Sequence, residues 1–471
     1  MQTQSYDLVV IGGGPAGICG ANTAAVFGRR VALVEKRRDI GGAGINTGTI
    51  PSKTLRETAL ALSGWRSRRL FGVDLSLRRG ATVGDFMYHK DDVVSQEHKR
   101  REEQFRLFKV ERFQGAASFV DPHTVRIAPD ICLHGEKILI ATGSSPAHPP
   151  EFPFEHPRVH DSDEILQITA LPKTLAVVGA GVIGAEYACT FAALGVEVYL
   201  IDGRDWLLGF LDREISEGIQ RGMTASGVRF IWKERVVHCE APPTGDVTLT
   251  HSSGATLAVN DVLVAAGRQS NTADLNLAAA GLTPGKRGLV EVDAQGRTKV
   301  PNIFAAGDVI GAPALAATGM EQARLAACVA FDIWQKEAAA PILPTGIYTI
   351  PEASMAGETE ESLKEKNIPY VVGRARYADN ARGRIIGDES GLLKLIFRPE
   401  DMRLLGVHVV GEQATELVHI GLVAMLAGVG ASLFNRVCFN YPTLGELYKL
   451  ATYEALLKRA GRFPGAPDLH A

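Results

Sequence analysis

Two glycine-rich turns carry the clearest chemistry in this chain of 471 residues. Gly12-Gly13-Gly14-Pro15-Ala16-Gly17 follows the apolar run Tyr6 to Ile11 and precedes a stretch of small residues. In a G-x-G-x-x-G turn the first glycine permits the tight bend and the second lets backbone approach a pyrophosphate. The third lets helix and strand pack closely, leaving the helix N-terminus facing the phosphates. Glu35 ends the next apolar run, where a carboxylate can accept hydrogen bonds from ribose hydroxyls. Gly179-Ala180-Gly181-Val182-Ile183-Gly184 repeats the arrangement, and Asp202 closes its second strand. An acid there suits a free 2′-hydroxyl, as in NAD(H), and repels a 2′-phosphate. Arg204, two positions on, can pair with such a phosphate or simply be surface charge. The sequence permits both coenzymes.

The elements that must position these turns follow an α/β order. Tyr6 to Ile11 reads as a buried strand, Pro15 to Gly28 as a helix and Val31 to Val34 as the next strand. A charged helix is expected from about Asp85 to Lys109, with His98 to Glu103 as a solvated face. The basic stretch Trp65 to Arg69 reads as a surface loop, and Pro146 to Pro157 as a linker. Leu175 to Asp202 forms the second strand-turn-helix-strand unit. The apolar stretch Thr174 to Ile201 is interrupted by Glu186 and Glu197, so a buried unit explains it better than a membrane span. From about Pro341 the pattern changes to antiparallel strands at Gly346 to Ile350, Gly391 to Phe397 and Leu404 to Val410, with a turn at Pro399 to Arg403. Helices follow at Ala414 to Ala427 and Thr443 to Lys458, with Pro442 at the start and Gly461 past the end.

A net charge of −3 argues against nucleic acid or an anionic membrane as partner. The six cysteines, Cys19, Cys132, Cys189, Cys239, Cys328 and Cys438, have no C-x-x-C or metal-type spacing. Buried free thiols in a reducing cytoplasm are the expectation, with no resident metal. The N-terminus lacks a basic region ahead of its first strand, which argues against a secretory signal.

Further motifs give the chain a family resemblance. Gly41-Gly42-Ala43-Gly44-Ile45-Asn46-Thr47-Gly48-Thr49-Ile50-Pro51-Ser52-Lys53 resembles the active-site segment of the pyridine nucleotide-disulfide oxidoreductases, which include lipoamide dehydrogenase and glutathione reductase. Ala305-Ala306-Gly307-Asp308 resembles that family's second flavin motif. Ile140 to Gly143 and Ala265 to Arg268 resemble its two domain-crossing turns. The resemblance implies FAD held by Gly12, Gly14, Pro15, Ala16, Gly17, Glu35 and Lys36, by Gly41, Gly42, Gly44, Thr49 and Lys53, and by Thr142, Gly143, Asp308 and Ala316. It implies NAD(P)H at Gly179, Gly181, Val182, Ile183, Glu186, Asp202, Arg204 and Gly267. Lys53, paired with Glu186, is implied to lie beside the flavin N5, where a cation favours the reduced ring. A buried ion pair of purely structural purpose is the alternative.

Two departures stand out. The family's two redox cysteines sit at positions that here hold Gly44 and Thr49, so that disulfide cannot form. The family's His-Pro-Thr-x-x-Glu motif reads Tyr441-Pro442-Thr443-Leu444-Gly445-Glu446. A phenol with a reference pKa near ~10 is a poor proton shuttle at neutral pH. These departures resemble the branch of soluble, Si-specific pyridine nucleotide transhydrogenases, whose members usually keep the first cysteine. The implied fold is two Rossmann-like dinucleotide-binding domains plus a C-terminal α+β dimerisation domain. Its boundaries are 1–155 and 271–340 for FAD, 156–270 for NAD(P) and 341–471 for the interface. The implied activity is reversible hydride transfer between NADPH and NAD+ in a homodimer or larger homo-oligomer, with Tyr441 and Glu446 serving a neighbouring subunit's site. An NAD(P)H:quinone or oxygen oxidoreductase shares every one of these residues, and a flavin-binding redox sensor stays open as a third reading.

Overall fold

The computed structural model describes residues 2–63, 83–127, 131–334 and 338–462. The basic stretch Trp65 to Arg69 and the chain beyond Arg462 lie outside them. The first sheet is built on β1 (Gln2–Ile11), whose Leu8, Val9, Val10 and Ile11 are no more than 2% exposed. Apolar residues on both faces of a strand require cover on both faces, as in a parallel sheet flanked by helices. β1 pairs in parallel with β2 (Val31–Glu35) on one side and β6 (Ile131–Ile140) on the other. β3 (Glu111–Gln114) extends the β2 edge. β4 (Ala117–Asp121) and β5 (Thr124–Ile127) form an antiparallel meander into β6. The chain returns much later, when Ile303–Ala305 pairs in parallel with β6. Helices α1 (Pro15–Val26), α2 (Thr49–Leu62) and α3 (Val83–Phe108) occupy the connections.

A second parallel sheet has the strand order Val228–Trp232, Glu197–Asp202, Thr174–Val178, Asp261–Val264, Val159–His160. Helices α4 (Val182–Ala193) and α5 (Arg213–Ala225) belong to this unit. A three-stranded antiparallel sheet, Val236–Glu240, Val247–His251 and Thr256–Val259, packs beside it, an element the sequence reading did not anticipate. α6 (Ala316–Ala330) returns to pack along α1.

The C-terminal part is an antiparallel sheet with helices Ala414–Leu426 and Leu447–Arg459 against it. Gly461 has a φ of 65° just past the last helix, the left-handed stop expected there. The strand expected at 346–350 covers only Thr345–Ile347. The next residues leave the ladder because their backbone is taken by side chains from α2 and α4, described below. The fold is mixed α/β with two dinucleotide-type sheets and an α+β C-terminal unit. Among the described residues no helix is long and apolar enough to cross a membrane.

α3 departs from the expected solvated face at its inner side. His98 Nε2 lies 2.7 Å from Asn46 Oδ1, and Glu102 pairs with Arg112. The helix therefore braces the segment ahead of α2 instead of facing water all round.

Candidate functional site

The two glycine turns share one bonding scheme. At Gly12 (φ 107°) a Cβ would lie 2.3 Å from Ala141 O, so only glycine fits. A Cβ on Gly17 would sit 1.9 Å from Gly12 O, which is how closely α1 rests on the turn. Glu35 is tied to the same turn, Oε2 accepting from Gly13 N at 2.8 Å and Oε1 from Arg37 N at 2.9 Å. In the second turn Gly184 lies equally close to Gly179 O, and a Cβ on Gly181 would project into open space. Asp202 Oδ2 accepts from Ala180 N at 2.7 Å, the counterpart of the Glu35 bond. Val182 and Ile183 begin α4 directly after the turn, and a Cβ on Gly267 (φ 116°) would meet open space. Both turns thus offer backbone N–H groups and a fixed acid to a dinucleotide.

Arg204 resolves differently from a free surface charge. Its Nε and Nη2 bond both oxygens of Asp202 at 2.8 and 2.7 Å, a bidentate clamp. Burial works to raise the Asp202 carboxyl, but these bonds and two backbone N–H groups outweigh it and hold the pKa at about 2.

A cleft opens over the first turn. Gly12, Gly14, Pro15, Ala16, Glu35 and Lys36 line one side, and Gly42, Gly44 and Thr49 another. Thr142, Gly143, Asp308 and Ala316 complete it. A second lobe shares Gly12, Glu35, Lys36, Thr142, Ser145 and Asn271 and continues past Gly115 to Ala117. A cleft that runs to both sides of the turn suits a ligand with two ends and a central pyrophosphate. Two buried oxygens in it, Thr142 Oγ1 and Asp163 Oδ1, have no hydrogen-bond partner among the described residues, which a polar ligand would supply. Burial also raises the Asp163 carboxyl above its usual range. Asp308 Oδ2 accepts from Ser144 Oγ at 2.7 Å, and that hydroxyl accepts from Arg268 Nε at 2.8 Å. Three of the residues assigned to the flavin stand outside the lining. Gly17 and Gly41 act from beneath, Gly41 N bonding Gly13 O at 2.7 Å, and Lys53 lies one turn of α2 beyond Thr49. Arg37, Ser144, Asp163 and Asn271 line the cleft with no sequence pattern to announce them.

Lys53 and Glu186 are 133 positions apart and meet where α2 packs on α4, Nζ to Oε2 at 2.5 Å. Glu186 is only 7% exposed, and its Oε1 accepts from Tyr348 N at 2.9 Å. The Tyr348 ring centroid is 5.0 Å from Lys53 Nζ, a cation–π contact. Tyr348 thus positions both partners. One turn further on, buried Arg56 bonds Thr349 O at 3.1 Å and pairs with Glu352 at 3.2 Å. These bonds draw residues 348 and 349 out of their strand and fix α2 against the C-terminal unit.

Gly44 lies in a π-helical turn, Ala43–Thr47, pressed against Pro15: a Cβ would be 2.3 Å from Pro15 Cγ. No thiol fits there without movement. Gly44→Cys is therefore expected to destabilise the fold by about 1–3 kcal/mol through overpacking. Urea midpoints check this, and an unchanged midpoint would show that the turn is free to open. Pro15, Gly44, Thr49 and Ala316 also border a mostly apolar cleft between α1, α3 and α6.

Tyr441 is 73% exposed and Glu446 bonds Asn380 Nδ2 at 3.4 Å; neither lines the cleft of its own chain. Among the described residues no group of three or more His, Cys, Asp or Glu side chains is placed to hold a metal ion.

The family models for pyridine nucleotide-disulphide oxidoreductase and for its dimerisation domain match residues 6–323 and 343–452. A soluble pyridine nucleotide transhydrogenase of Mycobacterium tuberculosis is 43% identical over 460 residues, covering 97% of this chain and 98% of that protein. One from Colwellia psychrerythraea is 40% identical over 96% and 98%. Among solved structures, the HOCl-induced flavoprotein disulfide reductase RclA from Escherichia coli superposes with a TM-score of 0.86 at 29% identity, over 95% of this chain and 99% of that one. With both family models matched and relatives similar from end to end, the chain belongs to the pyridine nucleotide-disulphide oxidoreductase family.

Proposed function

We propose that the chain holds FAD in the cleft over Gly12 to Gly17 and catalyses reversible hydride transfer between NADPH and NAD+ at the second glycine turn. Bound FAD would supply the hydride-accepting and hydride-donating centre. The protein's part is placement and charge: Glu35 and Asp308 take the hydroxyl-bearing portions, and the α1 N-terminus faces the pyrophosphate. Lys53, held by Glu186 and Tyr348, presents a fixed ammonium where negative charge develops.

The observation that carries this reading is a contrast. The Lys53–Glu186 pair is intact between the two nucleotide turns, whereas Gly44 and Thr49 leave no thiol to take electrons onward. A nicotinamide entering at the second turn is then the natural acceptor as well as the donor, so the kinetics are ping-pong. The likeness to soluble transhydrogenases supports the same substrates. Assembly as a homodimer, with Tyr441 at the interface, is the reading that the dimerisation-domain match and that residue's exposure support.

The test is anaerobic. Limiting NADPH is added until the flavin absorbance bleaches, and NAD+ follows. Recovery of the oxidised spectrum with matching NADH formation is expected. Recovery only with quinone or air would support a second reading, favoured by the apolar cleft bordering Gly44 and Thr49, in which a planar organic acceptor takes the electrons.

A further inference from the structure

A site that accepts both coenzymes must tolerate a 2′-hydroxyl and a 2′-phosphate at one place, and Asp202 by itself would repel the phosphate. Its bidentate clamp by Arg204 cancels that charge but also occupies the guanidinium. A second cation stands next to it. The turn after Val228–Trp232 is bonded to the Asp202–Arg204 turn by Lys233 N to Arg204 O at 2.9 Å and Glu234 N to Asp202 O at 3.3 Å. Arg235 follows, with its side chain lying over Gly203: a Cβ there would sit 3.0 Å from Arg235 Nε. The Arg235 backbone is pinned, its N bonding Ser252 Oγ at 3.2 Å and its O accepting from Ser252 N at 2.8 Å.

The neighbouring acids are otherwise engaged. Glu234 takes bonds from Ser252 Oγ at 2.6 Å and Ser253 N at 3.1 Å, and Asp205 lies 3.9 Å from Lys233 Nζ. Among the described residues the exposed Arg235 guanidinium makes no hydrogen bond or ion pair. We propose that Arg235 binds the 2′-phosphate of NADP(H), while Arg204 masks Asp202, so that one site serves both coenzymes. This rests on the second glycine turn being the coenzyme site. Arg204 is then a positioning residue that acts through Asp202, and Arg235 is the contact that distinguishes the phosphorylated coenzyme.

The experiment measures binding to the flavin-loaded enzyme without any turnover, by calorimetry with adenosine 2′,5′-bisphosphate and with 5′-AMP. The two probes differ only in the 2′-phosphate. Loss of a charge-assisted bond predicts that Arg235→Ala weakens the bisphosphate by roughly 10–100-fold and leaves 5′-AMP within about twofold. Arg235→Lys, which keeps the charge, recovers part of the loss. Arg204→Ala also weakens the bisphosphate, by unmasking Asp202, and adding Asp202→Asn restores it. Equal weakening of both probes by Arg235→Ala, or no change in either, overturns the proposal, as does no restoration in the double variant. An unaltered flavin spectrum confirms that each variant is folded. Failure of NAD+ to restore flavin colour would defeat the transhydrogenation reading and leave this comparison valid.

Discussion

Lys53→Met is expected to slow bleaching of bound flavin by NADPH by about 10²–10³-fold, with the flavin still bound. The side chain is 26% exposed and its ammonium is fixed from two sides, by Glu186 Oε2 at 2.5 Å and by the Tyr348 ring. A preorganised cation of this kind acts on charge that appears only as the reaction proceeds, so kcat and kcat/KM should fall together. Glu186→Gln keeps Lys53 and a hydrogen-bonding group for Tyr348 N, and should lose less. Stopped-flow traces at saturating NADPH separate the possibilities. A rate within threefold of the parent, accompanied by a drop in thermal stability, would reduce the pair to a structural tie between α2 and α4.

What the sequence made legible divides along a physical line. Gly12, Gly17, Gly179 and Gly184 are visible because local backbone geometry forbids any other residue, and that constraint has a fixed spacing. Glu35 and Asp202 follow for the same reason, each one strand further on. Lys53 and Glu186 are joined by helix packing over 133 positions, which spacing cannot reveal; only the family resemblance paired them. Tyr348 acts through its backbone N–H and ring face, so no residue-type pattern marks it as part of the site. Ser144, Asn271 and Asp163 come from separate parts of the chain, and Arg235 reaches Gly203 through turn-to-turn hydrogen bonds. The charge run on α3 was misleading in part, because a helix face that looks solvated can brace a neighbouring loop, as His98 does with Asn46. Gly44 shows the converse. Its type raised a question about lost chemistry, and its contact with Pro15 gives a packing answer.

The largest stability loss is expected from Lys394→Met, about 3–5 kcal/mol, because it strands buried acids. Lys394 is 1% exposed on the strand Leu392–Phe397 of the C-terminal sheet. Its Nζ lies 2.9 and 2.8 Å from the oxygens of Asp212, itself fully buried at the N-cap of α5 in the second nucleotide unit. Glu214, at 3.2 Å, and Glu360 share the same ammonium, and Arg374 bridges those two acids. Three carboxylates around two cations fasten the coenzyme unit to the C-terminal unit. Methionine matches the length but leaves Asp212 facing other acids with only backbone donors. Adding Asp212→Asn should recover part of the loss, since the stranded charge is then gone. Acid sensitivity gives an independent check. Burial pushes the Asp212 and Glu360 carboxyls upward, but His408 and Lys394 beside Asp212, and Lys394, Tyr370 and Arg374 beside Glu360, win and hold both below the usual carboxylate range. An acid whose folded pKa is depressed stabilises the fold above its unfolded value, and that stability disappears as pH falls through the folded one. Lys394→Met should therefore flatten the loss of stability below about pH 4, as well as lower the plateau at neutral pH. Urea midpoints at about pH 7 and about pH 3 for the parent, the single and the double variant decide it. A single variant within 1 kcal/mol of the parent, or a double variant less stable than the single, would show that packing around Lys394, and not its charge, joins the two units.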